Sequence, residues 1–326
     1  MYIQLSKELF SGEFDVNLNS LLRPALDDRI FIIFDFTNDD LIDIESWLNS
    51  HSLSVKSEWE NILNTFYSRS SRLKIDKFLT VTSNEQGHSK NTEISYSLDD
   101  VLRIIEQPYR IFVENSGSDR TFFLAVINTN LKNKILELEE LSRLEFVSGG
   151  GIGALKKLIN NQYSKIPGIS LSGFAFFDSD SPQQGQLGYG AHHLVQKLNE
   201  HNIMFHCHSR RAIENYLTEN TIKGILDIDD EMEKLLVSFN LLDEQQQYFF
   251  HMKEGFSKKS CGESPLYTEL DSTIRRALHN GFKNALDPVF QIDDEKLDDF
   301  HYLLLDSGAC NEFDETITLL KKQYRV

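Results

Sequence analysis

No stretch of this chain approaches the roughly 18 to 20 consecutive apolar residues that a membrane span requires, and the opening MYIQLSKELFSGEFD lacks the basic-then-apolar layout of a secretory leader. A soluble, cytoplasmic protein with no membrane partner is the expectation. Cysteine is scarce. Cys207, Cys261 and Cys310 are far apart and without CxxC spacing, so neither a disulfide framework nor a thiolate zinc site is supported, and a reducing compartment fits. Positive charge is short as well: 33 Lys and Arg stand against 50 Asp and Glu, a formal charge of −17. That is the wrong sign for a protein that grips nucleic acid through its own phosphate contacts. Any action on nucleic acid calls for metal ions, a local basic stripe or a basic partner. No Pro/Gly linker and no internal repeat interrupt the 326 residues, a length that suggests two or three domains with real cores.

Three regions emerge from the patterning. Residues 1–105 read as a mixed α/β module, with an apolar strand RIFIIFDF (Arg29 to Phe36), a helix DDLIDIESWLNSHS and a loop or hairpin tip around TSNEQGHSKNTE. Residues 106–218 are more regular. The strands YRIFVE, LEFVS, SGFAFFD and IMFHC alternate with helical stretches over 119–143, GGGIGALKKLINNQY, AHHLVQKLNEHN and RRAIENYL. Short, continuously apolar strands alternating with helices predict a central parallel, Rossmann-like sheet covered by helices on both faces. Residues 219–326 read as a mostly helical region, in LDIDDEMEKLLVSFNLL, SPLYTELDSTIRRALHNGF and KLDDFHYLLLDSG.

Acidic residues end two of the central strands: Glu114 the first, and Asp178 with Asp180 the third, in FAFFDSDS. Ligands of an open parallel sheet collect outside the carboxyl ends of its strands, so these acids converge on one crevice. Their repulsion raises carboxyl pKa values unless a cation neutralises it, and hard divalent ions take a few such oxygens together with water.

Glu114 after an apolar strand, then Asp119, a Gly-rich turn after the second strand and Asp178-Ser179-Asp180 after the third resemble the Toprim domain of topoisomerases, primases and related nucleases. RRAIENYL (Arg210 to Leu217) is similar to the segment that nucleases of the OLD family carry after the next strand, where the glutamate, here Glu214, joins the metal site. The resemblance covers residues 106–218. It departs from the family at Asn115, where Gly is usual directly after the glutamate, and at Asp119, which lies five residues on rather than four. What it implies is a Mg²⁺-dependent endonuclease, with Mn²⁺ as a substitute, cleaving DNA or RNA by a two-metal mechanism. Glu114, Asp178 and Asp180 are then primary ligands, and Glu214 and Asp119 complete the second site. The catalytic lysine of such nucleases falls on Lys253, with Lys258 and Lys259 as competitors. Toprim nucleases of antiphage defence often act beside a separate ATPase, which implies an effector role with an ATPase partner; a homo-oligomer is compatible with the same reading.

Other motifs carry less. Gly149, Gly151 and Ala154 match a loose GxGxxA, but it follows the second strand and lacks a GK[ST] ending, so it reads as a tight turn near a helix N-terminus, for packing or for the approach of a phosphate. His206 and His208 share one face of a strand at a spacing too common to assign a metal. DSDSP also approximates the DxDx[TV] nucleophile motif of haloacid dehalogenase-like phosphatases, with Asp178 as nucleophile and Asp180 as acid, although Ser181 stands at the Thr/Val position. A non-catalytic acidic interaction or sensor protein with a degenerate Toprim domain is the remaining alternative, favoured by the charge of −17.

Overall fold

The computed structural model describes residues 1–35, 41–69, 78–83, 87–88, 94–163, 173–305 and 307–324. The chain is an α/β protein in two compact units, one made mainly of Met1–Pro108 and the other of most of the chain from Tyr109 on.

In the first unit, β1 (Tyr2–Leu5), β2 (Phe31–Phe34), β3 (Leu79–Thr82) and β5 (Ile94–Ser97) run parallel, and the short β4 (Gly87–His88) pairs antiparallel to β5, giving the order β2-β1-β3-β5-β4. Ile3, Leu5, Ile32, Val81 and Trp59 fill its core. The expected first strand is present as β2, and the expected helix spans Leu41–Asn49. Phe36 lies outside the described residues, as does most of the polar stretch between β3 and β5.

The second unit carries the regular alternation. β6 (Tyr109–Val113), β7 (Leu144–Ser148), β8 (Gly173–Phe177) and β9 (Met204–Cys207) form a fully parallel sheet in the order β7-β6-β8-β9. The inner strand β8, GFAFF, is buried at every position, which is why it lacks an alternating pattern. Phe174, Phe176 and Phe177 are fully enclosed, each contributing roughly 2–3 kcal/mol of burial. Helices Ser118–Val126, Thr129–Glu140, Ile152–Tyr163 and Tyr189–Glu200 occupy the crossovers.

The strand order has a consequence. From β6 the chain moves out to β7 on one side, then returns to β8 on the other side of β6. The reversal leaves a crevice beyond the carboxyl ends of β6 and β8, the two strands that end in Glu114 and Asp178.

One element differs from expectation. RRAIENYL is not a helix; only Ile213–Tyr216 coil, as a single 3₁₀ turn. Side-chain hydrogen bonds hold the segment instead. Asn215 accepts from the N–H of Ala212 and donates to the carbonyls of Gln247 and Phe250, while Arg210 lies over the rings of Tyr216 and Tyr248 at 4.5 and 3.9 Å. The helices beyond residue 218 belong to the same unit as this sheet. The last, Ala309–Tyr324, presses Phe313 against Phe122, Phe176 and Tyr216.

Candidate functional site

Glu114 and Asp178 meet on the same rim of the second sheet. The carboxylate of Glu114 accepts the backbone N–H of Asp178 at 3.1 Å. The backbone around Glu114 is fixed from two further directions. Its carbonyl accepts the N–H groups of Gly150 and Gly151, so the Gly-rich turn wraps this residue. The glycines there are required: Gly150 and Gly151 have φ of +74° and +112°, and a Cβ on Gly149 would meet the backbone nitrogen of Leu155 at 2.3 Å.

Asp119 provides the third restraint. Its Oδ2 accepts the N–H groups of Glu114 and Asn115, both at 2.9 Å, and Ser118 Oγ lies 3.3 Å from Oδ1. In this arrangement Asp119 is a clasp on the turn after β6.

Asp178 accepts the N–H of Ile213 at 3.1 Å through Oδ1, which ties the end of β8 to the turn carrying Glu214. Asp180 sits in the left-handed region with φ 50°, a conformation aspartate tolerates better than most residues. Its N–H donates to the carbonyl of Arg211, and Gly188 packs so closely that a Cβ there would lie 2.5 Å from the Cβ of Asp180. Asp180 is exposed and Asp178 retains 25% of its side-chain exposure, so the crevice opens to solvent.

Glu214 is buried and pairs with Lys253 Nζ at 3.2 Å; the same lysine lies 3.7 Å from Asp287. Burial alone would lower the lysine's pKa, but Glu214, Asp287 and Asp178 outweigh it and the net direction is upward, so Lys253 stays charged. Lys258 pairs with Glu254 and Lys259 with Glu263. Of the three sequence candidates, Lys253 alone touches a predicted acidic residue.

The electrostatics mark a concentration of negative charge lacking full compensation. Burial, then Asp119 and Asp180, raise Glu114 to about 8. Asp119 is raised to about 6, chiefly by burial, against the backbone N–H groups that favour its anion. Asp178 stands well above the ordinary carboxyl range through burial and four acidic neighbours, Glu114, Glu214, Asp119 and Asp180. Asp180, though exposed to solvent, is raised by partial desolvation among its neighbours, with Arg211 and Lys258 opposing. An all-oxygen, mutually repelling donor set open to water suits a hard divalent cation, and thiolate and imidazole play no part in it. The fit has a limit: among the described residues these acids do not bring three ligand oxygens within 4.8 Å of one another, so holding an ion requires their side chains to rotate inward.

Ligand atoms of His206, His208 and Glu312 instead lie within 4.8 Å of one another. Glu312 already accepts from Ser209 N–H and Oγ, Tyr216 Oη and His206 Nε2, at 2.8, 2.5, 2.6 and 3.1 Å. Burial alone would raise its pKa, but these donors outweigh it and hold the carboxyl down at about 2. Glu312 thereby pins the last helix to the end of β9. Sequence reasoning missed it because no spacing rule links residues 206 and 312. It also missed Arg211, whose buried guanidinium reaches the carbonyl of Phe249 and Ser260 Oγ while countering Asp180, and it weighed His208 only as a metal ligand, not for the approach of its Nε2 to 3.5 Å from Asp178 Oδ1. Burial and the nearby acids push the Cys207 thiol up to about 12, away from the thiolate form.

No family model, curated protein or solved structure matches this chain. Within the described residues no helix is long and apolar enough to cross a membrane.

Proposed function

We propose that the second unit is a Mg²⁺-dependent nuclease site that hydrolyses phosphodiesters in DNA or RNA. The observation that carries this reading is the hydrogen bond from Asp178 N–H to Glu114, which places acids distant in sequence on one rim, at the switch point of a parallel sheet. Glu114, Asp178 and Asp180 would hold one ion, and Glu214 a second, with Asp119 fixing the Glu114 turn. When bound, such ions supply activated water and charge at the leaving oxygen. Lys253, fixed by Glu214, supplies a cation to a phosphate approaching the crevice. The left-handed backbone at Asp180, with its N–H on the carbonyl of Arg211, fixes the main chain from which its carboxylate would rotate toward an ion.

The charge of −17 repels a polyphosphate chain, which supports a partner that supplies basic surface. An ATPase partner and an effector role in antiphage defence extend the same proposal and rest on the resemblance of residues 106–218. The test is incubation of the purified protein, alone and with the products of neighbouring genes, with plasmid and total tRNA in Mg²⁺, Mn²⁺ and EDTA. Cleavage in metal that Asp180→Ala abolishes is the expected result. Cleavage that survives EDTA overturns the mechanism.

A further inference from the structure

We propose that His208 is a positioning residue that holds the Asp178 carboxylate from behind through an Nε2–H···Oδ1 hydrogen bond. The inference rests on the nuclease reading for its consequence, but the bond itself is independent of it. His208 is 2% exposed, one residue beyond β9, and its own N–H donates to the carbonyl of Phe177, the residue before Asp178. Its ring lies in a cage of Phe122, Phe176, Tyr216 and Phe313, with centroid distances of 6.0, 4.4, 5.9 and 5.7 Å. Neither ring nitrogen has a hydrogen-bond partner within bonding geometry. A buried imidazole without a partner is costly, so its placement calls for a reason.

The reason lies at 3.5 Å, where Nε2 faces Asp178 Oδ1. That contact is slightly long, as hydrogen bonds of unliganded catalytic sites often are before they tighten around their ligand. The direction of donation follows from the neighbours. Oδ1 already accepts the N–H of Ile213, which favours it as the unprotonated oxygen of Asp178, and the facing nitrogen is therefore assigned the proton. With two donors on Oδ1, Oδ2 is the oxygen left to meet an ion, the arrangement by which residues behind a ligand orient it and raise its affinity for a metal. Glu312 completes the support. It anchors His206 and the last helix, whose Phe313 closes the cage on His208.

The test joins a spectroscopic and a binding measurement on the full chain. Long-range ¹H–¹⁵N spectra of ¹⁵N-histidine-labelled protein are expected to show His208 as the Nε2–H tautomer, and Asp178→Ala is expected to abolish that preference. An Nδ1–H tautomer in the unsubstituted protein overturns the proposal, whatever metal does. Calorimetric titration with Mn²⁺ is expected to show affinity falling about 10- to 100-fold in His208→Phe, which keeps an aromatic ring in the cage without a donor, and recovering in part in His208→Gln. Binding by His208→Phe equal to that of the unsubstituted protein also overturns it. If the unsubstituted protein binds no Mn²⁺, the nuclease reading fails, and the tautomer and its response to Asp178→Ala still decide the hydrogen bond.

Discussion

Glu114 receives its hydrogen bond from the backbone of Asp178, not from a side chain, so the two acids are held together by the main chain of adjacent parallel strands. Charge repulsion cannot separate the strand ends without breaking sheet hydrogen bonds. Glu114→Gln keeps an oxygen for Asp178 N–H and removes the charge. Metal-dependent cleavage is expected to fall by at least ~10³-fold, while metal-free stability near pH 8 rises by on the order of 2 kcal/mol, as seen in nuclease assays and thermal melts of the same preparation. A fall in both would show that Glu114 is structural.

Glu114 also sets a pH dependence. Its folded pKa of about 8 lies above the ordinary value of 4.5, so between those limits the folded state holds a proton that the unfolded state has lost. Metal-free stability is therefore expected to decrease as pH rises from about 5 to 8 and to level off above, and Mg²⁺ is expected to restore it at the alkaline end. Melting curves across this range, with Mg²⁺ and with EDTA, check both statements; a metal-free melting temperature that climbs with pH contradicts them.

At Glu312 the sign reverses. Its folded pKa of about 2 lies below the ordinary 4.5, so its contribution is complete above that value and disappears as pH falls toward 2. Glu312→Gln is expected to cost roughly 3 kcal/mol at pH 7 and much less near pH 2.5, read from denaturant unfolding at the two pH values. An equal loss at both would assign the effect to packing.

Lys253→Met removes the cation paired with buried Glu214. Cleavage is expected to drop ~10²-fold or more, with Lys253→Arg recovering a fraction, whereas Lys258→Met, whose lysine pairs with Glu254, has a smaller effect. Initial rates at saturating Mg²⁺ decide the order; equal losses at the two positions would remove Lys253 from its role.

Gly188→Ala places a methyl 2.5 Å from the Cβ of Asp180 and 2.8 Å from its carbonyl oxygen. One of the two must shift. A loss of about 1–3 kcal/mol and a weaker Mn²⁺ titration are expected, since the displaced residue is a proposed ligand. Unchanged metal binding would show that Asp180 is not held in place by this packing.

Much of the second unit was legible in the chain because its inner strands are buried on both faces and therefore spell nearly continuous apolar runs, each stopped by an acid. The order of those runs was enough to put Glu114 and Asp178 at strand ends, since parallel connections leave all the carboxyl ends on one side. The same reasoning misjudged RRAIENYL, whose residues favour a helix while its hydrogen bonds go to distant carbonyls at Gln247 and Phe250.

Local pattern alone thus determined the strands, their direction and the acidic termini, because burial and chain direction are recorded residue by residue. Only the tertiary structure decided that Asp119 clasps a turn, that Lys253 rather than a neighbour reaches Glu214, and that Glu312 and His208 stand behind the rim. Apart from the local bonds of Asp119, those outcomes depend on which distant residue arrives within hydrogen-bonding reach, a matter of packing between elements that no spacing along one strand encodes.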